Sequence, residues 1–564
     1  MDSFKFLRKS LKQKRKEKMG EEMKRREKLY FALLALIIVG TFYYTYKQAS
    51  SEGLYDYIGD EVWYVSASRN VLHRLGIDVH YINETTGSEG VNIVFLTEPE
   101  VKGEVKVSFW RFTILRTYTA AEPPKVPDFV SKLGIKVEYI PFNFSQEYNV
   151  DLMKVKIWQI AQKYNYTKYT PYTNFPAVYY EIPKSNFSRF VKDVKKIEGV
   201  DVIPGFRYPD KEGIQNYLNT EHPFLAKDFI MLGMLIQDKP VFWRLPGLIA
   251  HVIINLLVFF AALKITRSYL AAFIALVFSA FDPLLYATSL AAMLDIYVAL
   301  FTAIFMYVMV IGDYPLSGIS IGLAAAAKLN GAFPYPVLVI KALKDRMSLK
   351  RYLLILFVLP GIAFLIPEIP IIMAIGFQRW IEEFIASFSW HLSFKGEHPA
   401  NSPFWQWFIS LKPFPFHYNP DVFAATDPIL MLSMIVFIFA IPYAAKKRGK
   451  ILIPFGIFWS TIGFYALQWV LGGKTQFSFY ATPLVPAGAV TLGVMAYELI
   501  KWEYFEESLK FYWGWILKIV DPIVRLIQKE FIQKTTKAKT EEKEPQEFTS
   551  ENQEDSSAFF ESEP

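Results

Sequence analysis

Long apolar runs recur along this chain, and they constrain its fold more than any other feature. A helix needs about 20 mostly apolar residues to cross a bilayer, because the hydrocarbon core is roughly 30 Å thick and each residue advances the helix by about 1.5 Å. The sequence therefore predicts a polytopic α-helical membrane protein with about ten transmembrane helices. The apolar runs are Leu29 to Tyr46, Phe242 to Leu263, Tyr269 to Phe281, Leu290 to Ile311, Ser317 to Ala327, Gly331 to Leu343, Tyr352 to Ile375, Ile429 to Ala444, Ile451 to Leu471 and Phe479 to Ile500.

Basic clusters beside these runs predict the topology. The block from Lys5 to Lys28 precedes the first run and is typical of a retained signal anchor with a cytoplasmic amino terminus. If every run crosses once, Lys264 with Arg267, the segment Lys341 to Arg351, and Lys446 to Lys450 all fall on the cytoplasmic side as well. We therefore expect a multi-pass protein of the cell membrane with its carboxyl-terminal tail in the cytoplasm.

The short pair of runs between Ser317 and Leu343 leaves two arrangements open. Two short spans would keep every basic cluster on the cytoplasmic side. A re-entrant or broken arrangement would also fit the 27 residues available.

The large polar segment after the first run reads as an extracytoplasmic α/β insertion in the first outer loop. Alternating strand patterns and two helical patterns occur in the order strand, helix, strand, helix, strand, which resembles a ferredoxin-like unit. The predicted strands are Val91 to Leu96, Val105 to Phe112, Val137 to Phe142, Ala177 to Ile182 and Val200 to Ile203, and the helices are Asp151 to Tyr164 and Asn186 to Glu198.

These patterns divide the chain into six parts. The tail is rich in Glu, Lys, Ser and Gln without apolar periodicity and is predicted to be disordered. The predicted parts are a basic cytoplasmic amino terminus (1–28), the first helix with the start of the outer loop (29–77), the insertion (78–214), a transmembrane core (215–500), an amphipathic interfacial segment (501–533) and the tail (534–564).

Composition excludes several kinds of chemistry. The 564 residues include no cysteine, so disulfides, thiolate metal sites and a cysteine nucleophile are all ruled out. There is no Walker loop or dinucleotide-binding fingerprint, so we expect no nucleotide cofactor. The net charge of +7 lies in short blocks beside apolar runs, which membrane topology explains better than nucleic-acid binding. Membrane lipids, and no nucleic acid, are the expected partners.

Two adjacent carboxylates follow the first helix, in the stretch that contains Asp60, Glu61 and Tyr64. They could be solvated loop acids. A partly desolvated acid at the membrane surface could instead act as a general base, because its neighbours can tune its pKa.

A basic stretch lies at the mouth of the next apolar run. Glu221, His222, Lys227 and Arg244 fall close together in the sequence. Basic residues near a helix end often only snorkel to the interface. Their density here would also suit a phosphate.

Two ionisable residues, Asp295 and Lys328, lie in or beside apolar runs, and Asn330 follows closely. A charge in hydrocarbon costs about 2.5 to 3.5 kcal/mol by insertion scales, so each needs a partner or a wet cavity. A structural ion pair is the simpler interpretation, and a substrate site is the other.

The outer loop between Gln378 and Asp427 is rich in histidine and aromatic residues, and a further tyrosine opens the last run. Interfacial tryptophans commonly form a membrane belt, and the same residues could stack on sugar rings. The residues concerned are His391, His398, Trp405, Trp407 and Tyr480.

Together and in this order, these motifs resemble the protein O-mannosyltransferase family (the dolichyl-phosphate-mannose-protein mannosyltransferases), with the aminoarabinose transferase as a more distant relative. The resemblance covers Leu54 to about His73 and Glu221 to about Pro486, and leaves out the insertion and both termini. It implies a C-type glycosyltransferase fold. The motifs are the Asp-Glu pair, Glu-His-Pro-x-Leu-x-Lys before Trp-Arg-x-Pro, an apolar Leu-Asp, Gly-Leu-Ala followed by Lys-x-x-Gly, and His-Pro followed by Ser-x-x-Trp-x-Trp.

The resemblance also implies an activity, an inverting transfer of a sugar from a polyprenyl or dolichyl phosphate to a hydroxyl on the outer membrane face. Mannose is the expected sugar, and the acceptor is a protein Ser or Thr, a lipid or a glycan. Asp60 would be the catalytic base and Glu61 its supporting neighbour. Arg244 and Lys328 would stabilise the leaving phosphate, with His222 near the donor.

A divalent metal ion (Mg, Mn or Zn) is a further implication. Glu221 matches a position that binds a metal together with a loop histidine in the aminoarabinose relative, and His391 or His398 could supply that ligand. The sequence departs from the family at Leu290, where an arginine is usual before the Asp295 motif.

Two other classes fit parts of the pattern. A transporter of lipid-linked or anionic substrates also has intramembrane charges and broken helices, but inverted repeats are expected there and are not seen in this sequence. An oligosaccharyl transferase shares the fold class, but carries its large domain at the carboxyl end and a Trp-Trp-Asp-type motif that this chain lacks.

Overall fold

The fold is described by a computed structural model covering residues 2–96, 101–109, 112–120, 135–144, 149–393, 398–499 and 503–541. Over these residues the chain is a polytopic helical membrane protein with an α/β insertion, as predicted. Five helices are long and apolar enough to cross a membrane, or up to seven if each of two bent helix pairs counts as one span. The five are Glu27–Ala49, Pro240–Thr266, Leu349–Ile375, Pro428–Lys447 and Gly449–Val470.

Every predicted apolar run is helical, but half of the runs are shorter than a full span. By length and composition, five to seven of the described helices qualify as full spans, against about ten helices predicted, because caps and turns interrupt the apolar sequence. The helices are α1 (Asp2–Ala49), α2 (Glu61–Arg74), α3 (Val150–Lys163), α4 (Lys184–Val194), α5 (Leu225–Ile236), α6 (Pro240–Thr266), α7 (Tyr269–Ala280), α8 (Pro283–Leu290), α9 (Asp295–Ile311), α10 (Tyr314–Ala327), α11 (Tyr335–Lys344), α12 (Leu349–Ile375), α13 (Phe377–Ser393), α14 (Pro428–Lys447), α15 (Leu452–Val470), α16 (Leu484–Leu499) and α17 (Glu503–Glu541).

Short polar side chains determine where these helices begin. The carboxylate of Asp282 accepts hydrogen bonds from the first N–H groups of α8, Asp313 does the same for α10, and Asp427 for α14. A proline follows each aspartate within the first helical turn, where its missing N–H costs nothing. An aspartate cap followed by proline ends one helix and begins another. Hydropathy alone would predict a single continuous helix over the same stretch.

The insertion has the predicted ferredoxin-like order. In the main sheet β6 pairs with β7, β7 with β2, and β2 with β8, all antiparallel, and the short β1 extends the β8 edge of β2. Helices α3 and α4 connect these strands. A second sheet, in the order β4, β3, β5, lies between β2 and α3 in the sequence. Its strands β3 and β5 overlap predicted strands, whereas β4 was not predicted. The strands are β1 (Ile82–Asn83), β2 (Ser88–Phe95), β3 (Val101–Phe109), β4 (Phe112–Ala120), β5 (Ile135–Phe144), β6 (Lys168–Pro171), β7 (Ala177–Pro183), β8 (Val200–Pro204), β9 (Phe414–His417) and β10 (Val422–Ala424).

A buried ion pair between α2 and the segment before α6 also holds the end of the insertion, through Phe206. Arg69 on α2 donates two hydrogen bonds to Asp238, at 2.7 and 3.0 Å, and both side chains are fully buried. The same carboxylate accepts the indole N–H of Trp243 and the backbone N–H of Phe206. Every acceptor is therefore used, and the insertion holds a fixed position beside the start of α2.

The bundle has two ends, which we call the insertion end and the opposite end. Helix α6 leaves the insertion end, and the basic clusters at the last turns of α6 and α14 lie together at the opposite end. The phenol of Tyr314, at the start of α10, donates to Asp345, which places the 341–351 segment at that end too. All three basic clusters predicted to be cytoplasmic thus lie on one side of the bundle. Helices α10 and α11 leave this side and return to it, although neither is long enough for a full span.

The carboxyl-terminal part is more regular than predicted. Helix α17 covers the predicted interfacial segment and continues to Glu541, so the predicted disorder from residue 534 is wrong as far as Glu541. Residues 542–564 lie outside the described part.

Candidate active site

The site begins at Asp60, in the turn between α1 and α2. Gly59, with φ of +52°, allows the sharp turn, and its N–H donates to the carbonyl of Phe416 at 2.9 Å. Although Asp60 precedes α2, its carboxylate makes no capping hydrogen bond to that helix. It accepts instead from the phenol of Tyr64, at 3.4 Å. The carboxylate is therefore available for other chemistry.

The pKa of Asp60 is raised to about 6. Burial is the main cause and the nearby charge of Asp295 adds to it, whereas the ammonium of Lys328, the Tyr64 hydrogen bond and His398 lower the pKa. A carboxylate with such a pKa is ionised at neutral pH and is also a useful proton acceptor there. The charges of Lys328, Asp295 and His398 therefore all act on the Asp60 carboxylate.

Lys328 and Asp295 form the charged floor of the site. The ammonium donates to both carboxylate oxygens of Asp295 at 3.1 Å, and Lys328 is only 5% exposed. It also lies 4.2 Å from the ring centroid of Tyr480 and 5.3 Å from that of Phe479. Among the described residues, Asp295 is its one hydrogen-bond partner, so an ammonium with three N–H groups keeps capacity for a further acceptor.

Asp295 owes its position to a helix start that the hydropathy pattern hides. The predicted run began at Leu290, but helix α9 begins at Asp295, after a turn. The carboxylate therefore lies at a helix amino terminus, where the helix dipole stabilises negative charge.

Glycines in the motif around Lys328 permit close packing. A Cβ atom on Gly322 would lie 2.3 Å from the carbonyl oxygen of Pro360 on α12, and one on Gly331 would lie 2.0 Å from the carbonyl oxygen of Ala324. Neither position accepts a larger residue without moving backbone. The two glycines let α10 end in the tight turn that presents Lys328.

Aromatic side chains wall the site. The phenol of Tyr465 donates to the carbonyl of Tyr480 at 3.0 Å and accepts a hydrogen bond from Asn330, which fixes the turn after Lys328 against α15. The ring of His222 meets Tyr64 edge-on at 6.3 Å. Tyr64, Tyr480, Asn330 and His222 are thus brought to the site, as predicted.

Glu61 and Arg244 form a structural ion pair rather than part of the open site. The guanidinium donates from Nε and Nη2 to the two carboxylate oxygens, each at 2.7 Å, and both side chains are fully buried. Its remaining N–H groups donate to the carbonyls of Ala49, Leu54 and Asp56. All five N–H groups are therefore used, and Arg244 has none left for a phosphate.

The Glu61 carboxylate is equally occupied. It also accepts the backbone N–H groups of Ile58, at 2.9 Å, and of Ala292, at 2.7 Å. A direct contact with substrate does not fit this geometry. Glu61 instead positions the turn that carries Asp60 against α6 and the segment before α9, which agrees with the expected supporting role.

Lys227 is likewise occupied. Its ammonium donates to the carbonyls of Asn219 and His222 and to the side chain of Asn219, between 2.7 and 3.0 Å, and the residue is fully buried. Glu221 accepts hydrogen bonds from Asn219 and Tyr217. The predicted phosphate role of Lys227 is therefore corrected, because its three donors serve the turn before α5.

The residues of the outer loop have different environments. Trp407 is fully buried, donates to the carbonyl of Ser402 at 2.8 Å and packs against Tyr465, so it cannot stack on a sugar. Trp405 is 45% exposed and remains accessible. His398 is exposed and stacks on Phe414.

The predicted metal ligands do not form a visible ligand set. Within the described residues, no three His, Asp or Glu side chains come close enough together to hold a metal ion. The side chain of His391 lies outside the described residues.

Sequence reasoning missed two buried polar residues. Tyr465 links Asn330 with Tyr480, and nothing in its apolar run distinguishes it from a membrane-facing tyrosine. Glu368 lies inside α12, where it accepts the backbone N–H of Phe224 and the indole N–H of Trp380. An acidic residue between two prolines in an apolar run could have indicated from the sequence that Glu368 is buried and has polar partners.

The fold has loose likenesses among solved structures. ArnT from Cupriavidus metallidurans bound to undecaprenyl phosphate matches with 15% identity and a TM-score of 0.37, over 52% of this chain and 53% of that one. The same protein in the apo state matches with 15% identity and a TM-score of 0.36, over 49% of each chain. The apo oligosaccharyltransferase of Archaeoglobus fulgidus gives 14% and 0.31, over 53% of this chain and 46% of that one.

The chain thus matches about half the length of each of these structures. No family model and no curated protein matches it. The function proposed below therefore depends on the side chains of the site.

Proposed function

We propose that this chain is an inverting glycosyltransferase of the C-type class that moves a sugar from a polyprenyl phosphate to a hydroxyl. The observation that carries the proposal is the shared site of a raised-pKa carboxylate, Asp60, and a buried ammonium, Lys328, at the insertion end of a membrane bundle. A base and a phosphate-binding cation are the two groups that such a transfer requires.

The depth of the site supports a lipid-borne donor. Helix α10 has 14 residues between the opposite end and Lys328, and such a helix is about 21 Å long, less than the roughly 30 Å of bilayer hydrocarbon. Lys328 thus lies below the membrane surface on the insertion side. A phosphate attached to a lipid reaches this depth readily, whereas a soluble sugar nucleotide must leave water to do so.

The proposed reaction is a single displacement. The Asp60 carboxylate accepts the proton of the acceptor hydroxyl as its oxygen attacks the anomeric carbon. The bond between that carbon and the phosphate oxygen breaks, and the electron pair leaves with the polyprenyl phosphate. The ammonium of Lys328 donates to the phosphate oxygen and stabilises the charge that develops there. Attack from the face opposite the phosphate inverts the anomeric centre.

Neighbouring groups complete the proposed site. Tyr64 and Tyr480 form its walls, while Asp295 holds the Lys328 ammonium in place. The exposed Trp405 is available to an acceptor or to lipid. Mannose on a dolichyl or other polyprenyl phosphate is the proposed donor, and the acceptor is a protein Ser or Thr, a lipid or a glycan. The proposed orientation places the insertion end outside the cytoplasm, because the basic clusters lie at the other end.

A transfer assay with a matched pair of variants tests the proposal. Purified protein in nanodiscs is incubated with a panel of radiolabelled polyprenyl phosphate sugars, mannose first, and with peptide, lipid and glycan acceptors. Asp60→Asn is expected to lower turnover by about 10²- to 10⁴-fold, the usual contribution of a general base. Asp56→Asn, the same change in the same turn, is the control, because that side chain pairs with Arg207.

Outcomes of the assay separate the possibilities. Full turnover by Asp60→Asn would overturn the assignment of the base, and transfer of another sugar would correct only the donor. Lipid movement across vesicles without transfer to any acceptor would support a transporter instead.

A further inference from the structure

A cavity of about 680 Å³ opens at the opposite end of the bundle. Among the residues that the structure describes, five cationic side chains and no acidic one line it: Lys264, Arg267, Lys447, Arg448 and Lys450. They come from two parts of the chain, the end of α6 and the end of α14, which the fold brings together. This concentration of positive charge is unrelated to the proposed transfer.

Arg448 forms a fixed part of the cavity wall. Its guanidinium pairs with Glu498 on α16 and donates to the carbonyls of Ile265, at 3.3 Å, and Thr266, at 2.9 Å. These bonds join the ends of α6, α14 and α16. The cavity therefore belongs to the packed bundle rather than to a loose loop.

The other cations have no carboxylate partner. Over the described ranges, Lys264, Arg267, Lys447 and Lys450 make no ion pair. The nearest acids have other partners: Glu498 holds Arg448, and the carboxylate of Glu27 accepts the phenol of Tyr269 at 2.7 Å. Unpaired like charges around one cavity repel each other, and a bound anion relieves that repulsion.

The cavity lies across the membrane from Asp60. Helix α6, which begins beside the Asp60 turn and ends at the cavity, has 27 residues, and a helix of that length covers about 40 Å, more than the hydrocarbon thickness. The lipid phosphate of the proposed transfer therefore cannot occupy both places at once.

Apolar and aromatic side chains form the rest of the wall. Phe260, Leu263, Tyr269 and Tyr307 line it beside the cations. A cationic pocket with such a wall at the end of membrane helices matches a ligand that has a phosphate at one end and acyl chains at the other. Basic residues whose only role is to determine membrane topology would not need to line a cavity, so their arrangement here favours binding.

The geometry points to a binding site for the phosphate headgroup of an anionic phospholipid at this cavity, in the membrane leaflet that faces the basic clusters. The headgroup phosphate sits among the four cations that lack a carboxylate partner, with Arg448 fixed behind it. Its acyl chains follow the outer surface of the bundle.

Lipid binding to paired variants tests the site. The full chain in mild detergent is titrated with phosphatidylglycerol, and bound lipid is counted by native mass spectrometry. Lys264→Gln combined with Lys450→Gln is expected to weaken phosphatidylglycerol binding by about 25-fold, since each cation near an anionic headgroup contributes about fivefold. Both side chains are exposed, so the fold should tolerate the change.

The control is Lys350→Gln combined with Arg351→Gln, which removes two exposed cations of the same end that do not line the cavity. Its affinity should stay within about twofold of the unmodified chain. Equal weakening by the control would overturn the site, because it would show general attraction to a basic surface. Equal binding of phosphatidylcholine, or inorganic phosphate competing at millimolar concentration, would overturn the assignment of a lipid headgroup.

Discussion

Replacing Arg244 with lysine separates a structural role from a phosphate-binding role. The positive charge is retained, but five N–H donors become three. In the native chain those five N–H groups reach Glu61 twice and the carbonyls of Ala49, Leu54 and Asp56 once each. At least two of these contacts must therefore be lost in Arg244→Lys.

The magnitude follows from that count. A buried acceptor left without its donor costs about 1–3 kcal/mol, so the variant should lose about 2–6 kcal/mol of stability. Lysine is also less suited to the two-pronged contact with the Glu61 carboxylate. The affinity for donor lipid should change little in the molecules that remain folded, because Arg244 is fully buried and has no donor to offer a phosphate.

Two measurements distinguish the roles. Thermal unfolding in detergent is expected to show a clear fall in the apparent melting temperature, and the dissociation constant for polyprenyl phosphate, measured well below that temperature, is expected to stay within about threefold. Arg379→Lys is the control, because Arg379 is exposed and pairs with Glu383 one helical turn away; it should leave stability within about 0.5 kcal/mol. Native-like unfolding of Arg244→Lys together with a tenfold or greater loss of polyprenyl phosphate affinity would refute the reasoning.

Two further predictions concern the charged centre of the site. Because the pKa of Asp60 is raised to about 6 and only the ionised carboxylate accepts a proton, kcat/KM for transfer should rise tenfold per pH unit below that pH and level off above it; a flat profile down to about pH 4.5 would contradict the role of Asp60. Lys328→Met should lower both the melting temperature and the polyprenyl phosphate affinity, since it leaves Asp295 buried without its partner. Adding Asp295→Asn should restore the melting temperature but leave the affinity at least about tenfold weaker, and an affinity restored by the double variant would show that Lys328 does not bind the phosphate.

The helices and the insertion could be read from local pattern. Apolar runs predict where helices lie because lipid and protein interiors both select apolar side chains, and the strand order of the insertion followed from two periodicities in succession. The number of complete spans could not be read in this way. Aspartate caps, prolines and the turn at Lys328 divide apolar sequence into shorter helices without making it less apolar on average.

The grouping of Asp60, Asp295 and Lys328 was predicted from the motifs, whereas the division of labour among the cations was not. The sequence offered Lys227, Arg244 and Lys328 on equal terms. In the folded chain every side-chain N–H group of Lys227 and Arg244 donates to a neighbouring protein group. Of the three, only Lys328 has an N–H group available for a ligand.

Sequence by itself determined that this protein is a polytopic helical membrane protein and that an α/β insertion follows its first helix. Tertiary structure alone decided which charges are occupied. Hydrophobicity and periodicity are properties of neighbouring residues, but a hydrogen bond depends on partners that can be far apart, as with Glu61 and Arg244, separated by 183 positions. Folding brings such partners together, and it also decides which charged groups, such as Lys328, keep capacity for a ligand.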